Sequence, residues 1–210
     1  IMVHRDSSAF GSVSESLFQD NSAHTWGGAI ASHGYLSSII GSSFINNTAG
    51  NGGAIYSSNP NVGTLKDLTF IGNKAVGNNE ARLAGAGGAI AVEMSPNFTL
   101  EGQNKFINNS AQTRGGAILL SAGTFSDLGE SYFEGNTSGS TGGAIHVYGS
   151  IDKANNSTFI NNKTEGKEPA DHSLTYSGGG AIFTSGEIKD ISNSTFVGNE
   201  VTGMTNDTFN

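Results

Sequence analysis

The side chains best equipped for chemistry in this sequence are its five histidines and a set of charged residues that recur at fixed distances before a phenylalanine. A metal site needs ligands at short, characteristic spacings, and His4, His24, His33, His146 and His172 share none. No metal is expected. The run His4-Arg5-Asp6 spells the catalytic tripeptide of protein kinases, but the nucleotide loop that must accompany it is missing, so the run is read as chance. Asp127, Lys153 and Asp190 lie six residues before Phe133, Phe159 and Phe196, and Ser126, Asp152 and Lys189 lie seven before the same three. If those phenylalanines stack, the charges alternate in sign up one corner. Two chemistries compete for them: a solvated ion-pair ladder worth about 0–1 kcal/mol per pair, which is the expected one, and a cluster of catalytic carboxylates. A polysaccharide lyase or hydrolase would need acids and bases concentrated at non-repeating positions on one face, and no convincing concentration is found. Neither an enzyme nor a cofactor is expected.

What would position these side chains is a repeat that runs from end to end. Phe-x-x-Asn occurs seven times, at Phe18 to Asn21, Phe44 to Asn47, Phe70 to Asn73, Phe106 to Asn109, Phe133 to Asn136, Phe159 to Asn162 and Phe196 to Asn199. Gly-Gly-Ala-Ile occurs six times, starting at Gly27, Gly52, Gly87, Gly115, Gly142 and Gly179, and the two motifs strictly alternate. The period is 26 or 27 residues, with two units lengthened by about ten. Self-similarity of this kind marks a solenoid, and because it spans the sequence, residues 1–210 read as a single elongated domain.

Two further positions repeat. The eighth residue before each Phe is apolar in every unit (Phe10, Leu36, Val62, Phe98, Phe125, Ile151, Ile188), and the fifth is apolar in all but one, where Glu101 stands. Both ladders are expected to point inward, and their separation of three, which a flat strand cannot satisfy, predicts a tight bend between them. A Gly or Pro ten residues before most of the phenylalanines predicts another break. Short β segments joined by bends, with no apolar pattern at helical spacing, give an all-β fold: a right-handed parallel β-helix (β-solenoid) of about seven coils of ~26 residues, with stacked Phe and Asn ladders about 4.8 Å apart. The repeated Asn would take a left-handed corner while its amide bonds the coils above and below. The Gly-Gly pair would make a second corner with no room for a Cβ.

Composition narrows the partners. A net charge of −8 has the wrong sign for gripping a phosphate backbone, so nucleic acid is excluded as a partner. There is no cysteine, hence no disulfide or thiolate site, and no apolar run approaches the length of a membrane span. The first residues lack the apolar segment of a signal peptide, which is read as either a cytosolic protein or an excised piece of a larger one.

Alternating Phe-x-x-Asn and Gly-Gly-Ala-Ile, seven and six copies across residues 18–199, resembles the repeat of the chlamydial polymorphic membrane proteins, a family of autotransporters. The resemblance implies a right-handed β-helical passenger domain, exported through the outer membrane by a C-terminal β-barrel. It would be exposed on the bacterial surface or secreted, and would act as an adhesin toward a host-cell surface protein or glycan receptor. By the same resemblance the sequence is an internal fragment of a longer passenger, and the departure at Glu101 implies a shifted register in that coil.

Both lengthened units carry their extra residues between Asn and Gly-Gly, at about 74–86 and 163–178. Both insertions must leave the same edge of the rod, three coils apart, and insertions gathered on one solenoid face often form its binding surface. Asn78, Glu80 and Arg82 in the first, and Lys167, Glu168, Asp171, His172 and Tyr176 in the second, are the candidate contacts for a partner; tolerated surface loops without function are the competing reading. A structural stalk, or a scaffold assembling as a homo-oligomer through unpaired coil ends, is the alternative role.

Overall fold

The computed structural model of the chain describes residues 1–4, 10–78, 85–167 and 178–203. Within them there is no helix, and the strands pair in parallel with their counterparts one repeat away. The chain is a parallel β-solenoid. Each coil passes through four stations: a strand after Gly-Gly-Ala (Ile55–Ser57, for example), a strand carrying the first inward ladder (Val62–Lys66), the Phe strand (Thr69–Ile71) and a two-residue strand beyond the Asn (Lys74–Ala75).

The Phe strand follows the expected register without exception, Phe18 pairing with Phe44 and so on to Phe196. Ring centroids in successive coils are 4.8–4.9 Å apart and the planes lie within 10° of one another. From Phe44 to Phe159 the rings are fully buried, each contributing roughly 2–3 kcal/mol from removal of apolar surface.

The asparagines make the second stack. In the interior coils Asn Oδ1 accepts from both the backbone N–H and the Nδ2 of the preceding Asn, at 2.9–3.1 Å. Each Nδ2 also donates to the carbonyl of the preceding coil's Phe, as Asn109 does to Phe70 at 3.1 Å. Every polar atom of a buried amide is thereby used, which is what makes burial of Asn47, Asn73, Asn109, Asn136 and Asn162 tolerable. The left-handed corner, however, belongs to the residue before the ladder Asn. Positive φ occurs at Asp20 in the first coil, then at Asn46, Asn108 and Asn161, which alternate with Gly72, Gly135 and Gly198. A Cβ built on each of these glycines would come within 2.2–2.6 Å of the Oδ1 of the Asn one coil earlier, so that side chain would have to move to admit one.

The Gly-Gly corner divides two requirements between its residues. The first Gly has positive φ in all six copies. A Cβ on the second would lie 2.0–2.4 Å from the carbonyl oxygen of the equivalent Gly in the next coil, from Gly28 through Gly143. One residue needs the conformation and the other needs the absence of a side chain.

The remaining wall departs from expectation in three places. Between the two inward positions the ladder is not interrupted: Leu36–Ile40 and Val62–Lys66 are continuous strands, so the predicted turn is a bend within a strand, with Ser38 paired to Thr64 across it. The break ten residues before Phe vanishes in two coils, where Ile118–Asp127 and Ile145–Lys153 run through Gly123 and Gly149 and fuse two stacks into one 12-stranded sheet. At Glu101 the register shifts by one residue, so that Leu100 pairs with Leu65 in the core and Glu101 is exposed opposite Lys66. The spare residue is taken up at the following turn, where Asn104 caps the coil by accepting from Leu68 N at 3.0 Å.

Candidate functional site

The charged corner holds an ion pair. Lys189 Nζ meets Asp152 at 2.7 Å, which raises the lysine's pKa above its ordinary value. The ladder stops there: Asp127 accepts from Gly129 N at 2.9 Å and Asp190 from Asn155 Nδ2 at 2.8 Å. Among the described residues no group of three or more His, Asp or Glu is placed to hold a metal ion.

The chemistry that does not repeat lies elsewhere, on the outer face of the Gly-Gly-Ala-Ile strands. Side chains alternate across a strand, so while Ile30, Ile55, Ile90, Ile118 and Ile145 fill the core, the residue after each points outward. In register these are Ala31, Tyr56, Ala91, Leu119, His146 and Phe183. Outward positions of a solenoid are normally wet, yet Tyr56, Ala91, Leu119 and His146 are fully buried. Tyr56, Ala91 and Leu119 form a second apolar cluster with Ala86, separate from the main core.

Part of the cover comes from the residue just before each Gly-Gly pair. Trp26 stacks on Tyr56 with centroids 5.5 Å apart, His33 packs edge-on to both rings, and the Tyr56 hydroxyl donates to Glu93. Three coils on, Thr141 Oγ1 bonds His146 Nδ1 at 2.7 Å, Phe183 stacks on the imidazole at 4.8 Å, and Tyr148 meets it edge-on while receiving the Arg114 guanidinium over its own ring. His146 Nε2 is buried with no hydrogen-bond partner. Burial, reinforced by the neighbouring Arg114 charge, lowers the His146 pKa to about 3, so the ring is neutral at ordinary pH. A base that weak does not serve acid–base catalysis near neutrality. The arrangement can shape a surface.

Each of these two clusters adjoins the root of an insertion. Lys74 is in register with Ser110, Thr137 and Lys163, so both insertions rise from the same edge three coils apart. The first is pinched at its neck, where Gly77 N and Gly85 N both donate to the Gly50 carbonyl at 3.0 Å, and its last residue, Ala86, packs in the Tyr56 cluster. The second ends at Gly178, bridged to Thr141 beside His146. Of the candidate contacts, Asn78 turns back along the rod and donates to the His24 carbonyl, two coils away, at 2.7 Å. Lys167 is exposed, ion-paired to Glu165, with its backbone N–H on Gly139 O. Glu80, Arg82, Glu168, Asp171, His172 and Tyr176 lie outside the described residues.

Sequence reasoning missed Trp26, Tyr56, Glu93, Arg114 and Tyr148 as members of a site. The available signal was the position after Gly-Gly-Ala-Ile, whose occupant changes chemically from coil to coil while the four residues before it stay constant. It also missed a polar stack two residues before Phe, where Ser16 N donates to Ser42 Oγ and Ser157 N to Ser194 Oγ, both at 3.1 Å.

Among the described residues no helix is long and apolar enough to cross a membrane. No curated protein and no solved structure matches the chain. Residues 15–33, 41–58, 67–93, 105–121, 130–148 and 156–185 match the Chlamydia polymorphic membrane protein repeat, each match running from one Phe-x-x-Asn unit through the next Gly-Gly-Ala-Ile. Those six segments cover more than half of the sequence, and the chain belongs to the Chlamydia polymorphic membrane protein family.

Proposed function

We propose that this chain is part of a surface-exposed passenger that attaches the bacterium to host cells, and that it makes contact through the insertion edge. Membership of a membrane-protein family supports a place at the outer membrane or the cell surface. The observation that carries the reading is the placement of both insertions on one edge, three coils apart, each rooted beside a cluster that breaks the repeat. The invariant ladders supply stiffness, and a stiff rod presents two separated loops at fixed spacing, which lowers the entropy cost of engaging a receptor at two points.

The test is binding of the purified, β-folded chain to epithelial cells, with the insertions intact and then cut to the spacing of the short units. Saturable binding that disappears on shortening supports contact through this edge. Binding unchanged in a folded, shortened variant rejects the insertions as the site.

A second reading, a stalk or self-assembling scaffold, draws on the terminal coils. Phe196 at one end is 43% exposed, where Phe44 through Phe159 are fully buried, and Val197 beside it and Leu17 at the other end are 54% and 62% exposed. Sedimentation velocity separates the readings: concentration-dependent end-to-end growth that persists in a chain with additional coils favours a scaffold.

A further inference from the structure

The opposite end of the Gly-Gly strands, away from the insertions, carries a groove of about 520 Å³ spanning three coils. Tyr35 and Asn61 immediately precede the paired residues Leu36 and Val62, and Asn97 immediately precedes Phe98, which holds the equivalent ladder position two coils from Leu36. An aromatic ring and two carboxamides thus follow one another up a single corner. Pro60 and Pro96 precede the two asparagines and fix their approach, and Asn59 Oδ1 accepts from Asn61 N at 2.9 Å, tightening that turn. Tyr35 is 38% exposed, Asn61 and Asn97 are exposed, and among the described residues no charged side chain lines the groove.

We infer that this groove binds an uncharged oligosaccharide. An exposed tyrosine offers an apolar ring face to the C–H side of a pyranose, and each carboxamide both donates and accepts, matching paired ring hydroxyls. Proline-fixed backbone leaves little to order on binding. With no cation lining it among the described residues, the groove of a chain with net charge −8 disfavours sulfated or sialylated glycans. A peptide added as a strand would need a free sheet edge, and the interior strands here are paired on both sides. The groove is separate from the insertion edge and does not rest on the reading proposed for it.

The experiment is saturation-transfer NMR on the whole 210-residue chain with maltotriose, chitotriose and sialyllactose as probes, repeated with Tyr35→Ala and with the Asn61→Ala/Asn97→Ala double variant. These side chains are exposed, so circular dichroism should be unchanged. Transfer to at least one neutral trisaccharide is expected, with affinity weakened at least about tenfold by Tyr35→Ala and weakened also in the double variant. Cutting back the insertions should leave the signal intact, so the cell-contact reading and this one fail separately. Silence from both neutral sugars, equal transfer in Tyr35→Ala, or transfer to sialyllactose alone would overturn the inference.

Discussion

Two walls of the same coil obey opposite rules. The wall of Phe and Asn holds the same residues in every repeat, with rings at 4.8–4.9 Å and amides bonded at 2.9–3.1 Å from coil to coil. The outer face of the Gly-Gly-Ala-Ile strands holds Ala, Tyr, Ala, Leu, His and Phe at one register position, and no two adjacent coils agree. The first wall must repeat because each residue's partner is its own copy one coil away, so a change breaks two contacts at once. The second wall takes part of its cover from other parts of the repeat, Thr141 for His146 and Trp26 for Tyr56, so it depends less on identical copies one coil away. Variation is therefore cheapest beside the insertions, where a receptor-facing surface would need it.

The comparison breaks hardest at the Gly-Gly corner. Gly116→Ala puts a Cβ about 2.0 Å from Gly143 O, a backbone atom that cannot rotate away. We expect loss of cooperative folding, or destabilisation above about 4 kcal/mol, read from urea denaturation by circular dichroism. A variant of near-native midpoint would show that neighbouring coils slide apart more readily than their hydrogen bonds suggest.

Next is the amide stack. Asn109→Ala strips Asn73 N and one Nδ2 hydrogen of Asn73 of their shared acceptor and removes the amide donor to the Phe70 carbonyl. At about 1–3 kcal/mol per stranded buried group, the loss should be roughly 3–5 kcal/mol. Asn109→Asp should be at least as damaging near neutral pH, because a carboxylate cannot donate to Phe70 O. Denaturation midpoints that fall by no more than for an exposed control such as Asn97→Ala would mean that water replaces the amide, contrary to a dry ladder.

How much of this was legible follows from the same contrast. A partner that is a copy of itself leaves a periodic trace, which is why the seven phenylalanines and asparagines announced both the fold and the stacks. Glu101 was visible as a gap in an apolar ladder, and Leu100 beside it explains how the core was kept. The left-handed corner was assigned one residue too late because Asn46-Asn47, Asn108-Asn109 and Asn161-Asn162 offer two asparagines each. Only the alternation with Gly72, Gly135 and Gly198 tells which one turns. The Tyr56 and His146 clusters left no periodic trace, since Trp26 reaches a ring thirty residues on in the next coil and Thr141 one five residues on in its own. Such contacts depend on the three-dimensional offset between coils, which composition and spacing do not encode.

A finer comparison uses two adjacent leucines on opposite sides of one strand. Leu120 lies in the main core and Leu119 in the outer cluster, both fully buried. Leu120→Ala opens a cavity between fixed stacks and should cost about 3–4 kcal/mol. Leu119→Ala, under cover that can settle onto it, should cost about 2 kcal/mol. Equal losses would mean that the outer layer is as rigidly packed as the core.

The smallest effect at neutral pH, and the most specific to the outer wall, concerns His146. Its native pKa of about 3 lies below the ordinary value of 6.5, so the unfolded chain takes up a proton that the folded chain refuses. The full contribution of the neutral, buried ring is present above about pH 6.5 and is lost as pH falls toward 3, at up to about 1.4 kcal/mol per pH unit. Phenylalanine already occupies the equivalent position one coil later, at Phe183, so His146→Phe fits the local stacking and removes the titration, at the modest cost of the Thr141 bond. Stability curves of the two proteins should lie close together at pH 7.5 and diverge on acidification, the variant being more stable by roughly 2–3 kcal/mol near pH 4.5. Parallel curves would mean that the protonated imidazole is accommodated, through water or through movement of Arg114, and that the outer wall is looser than its burial implies.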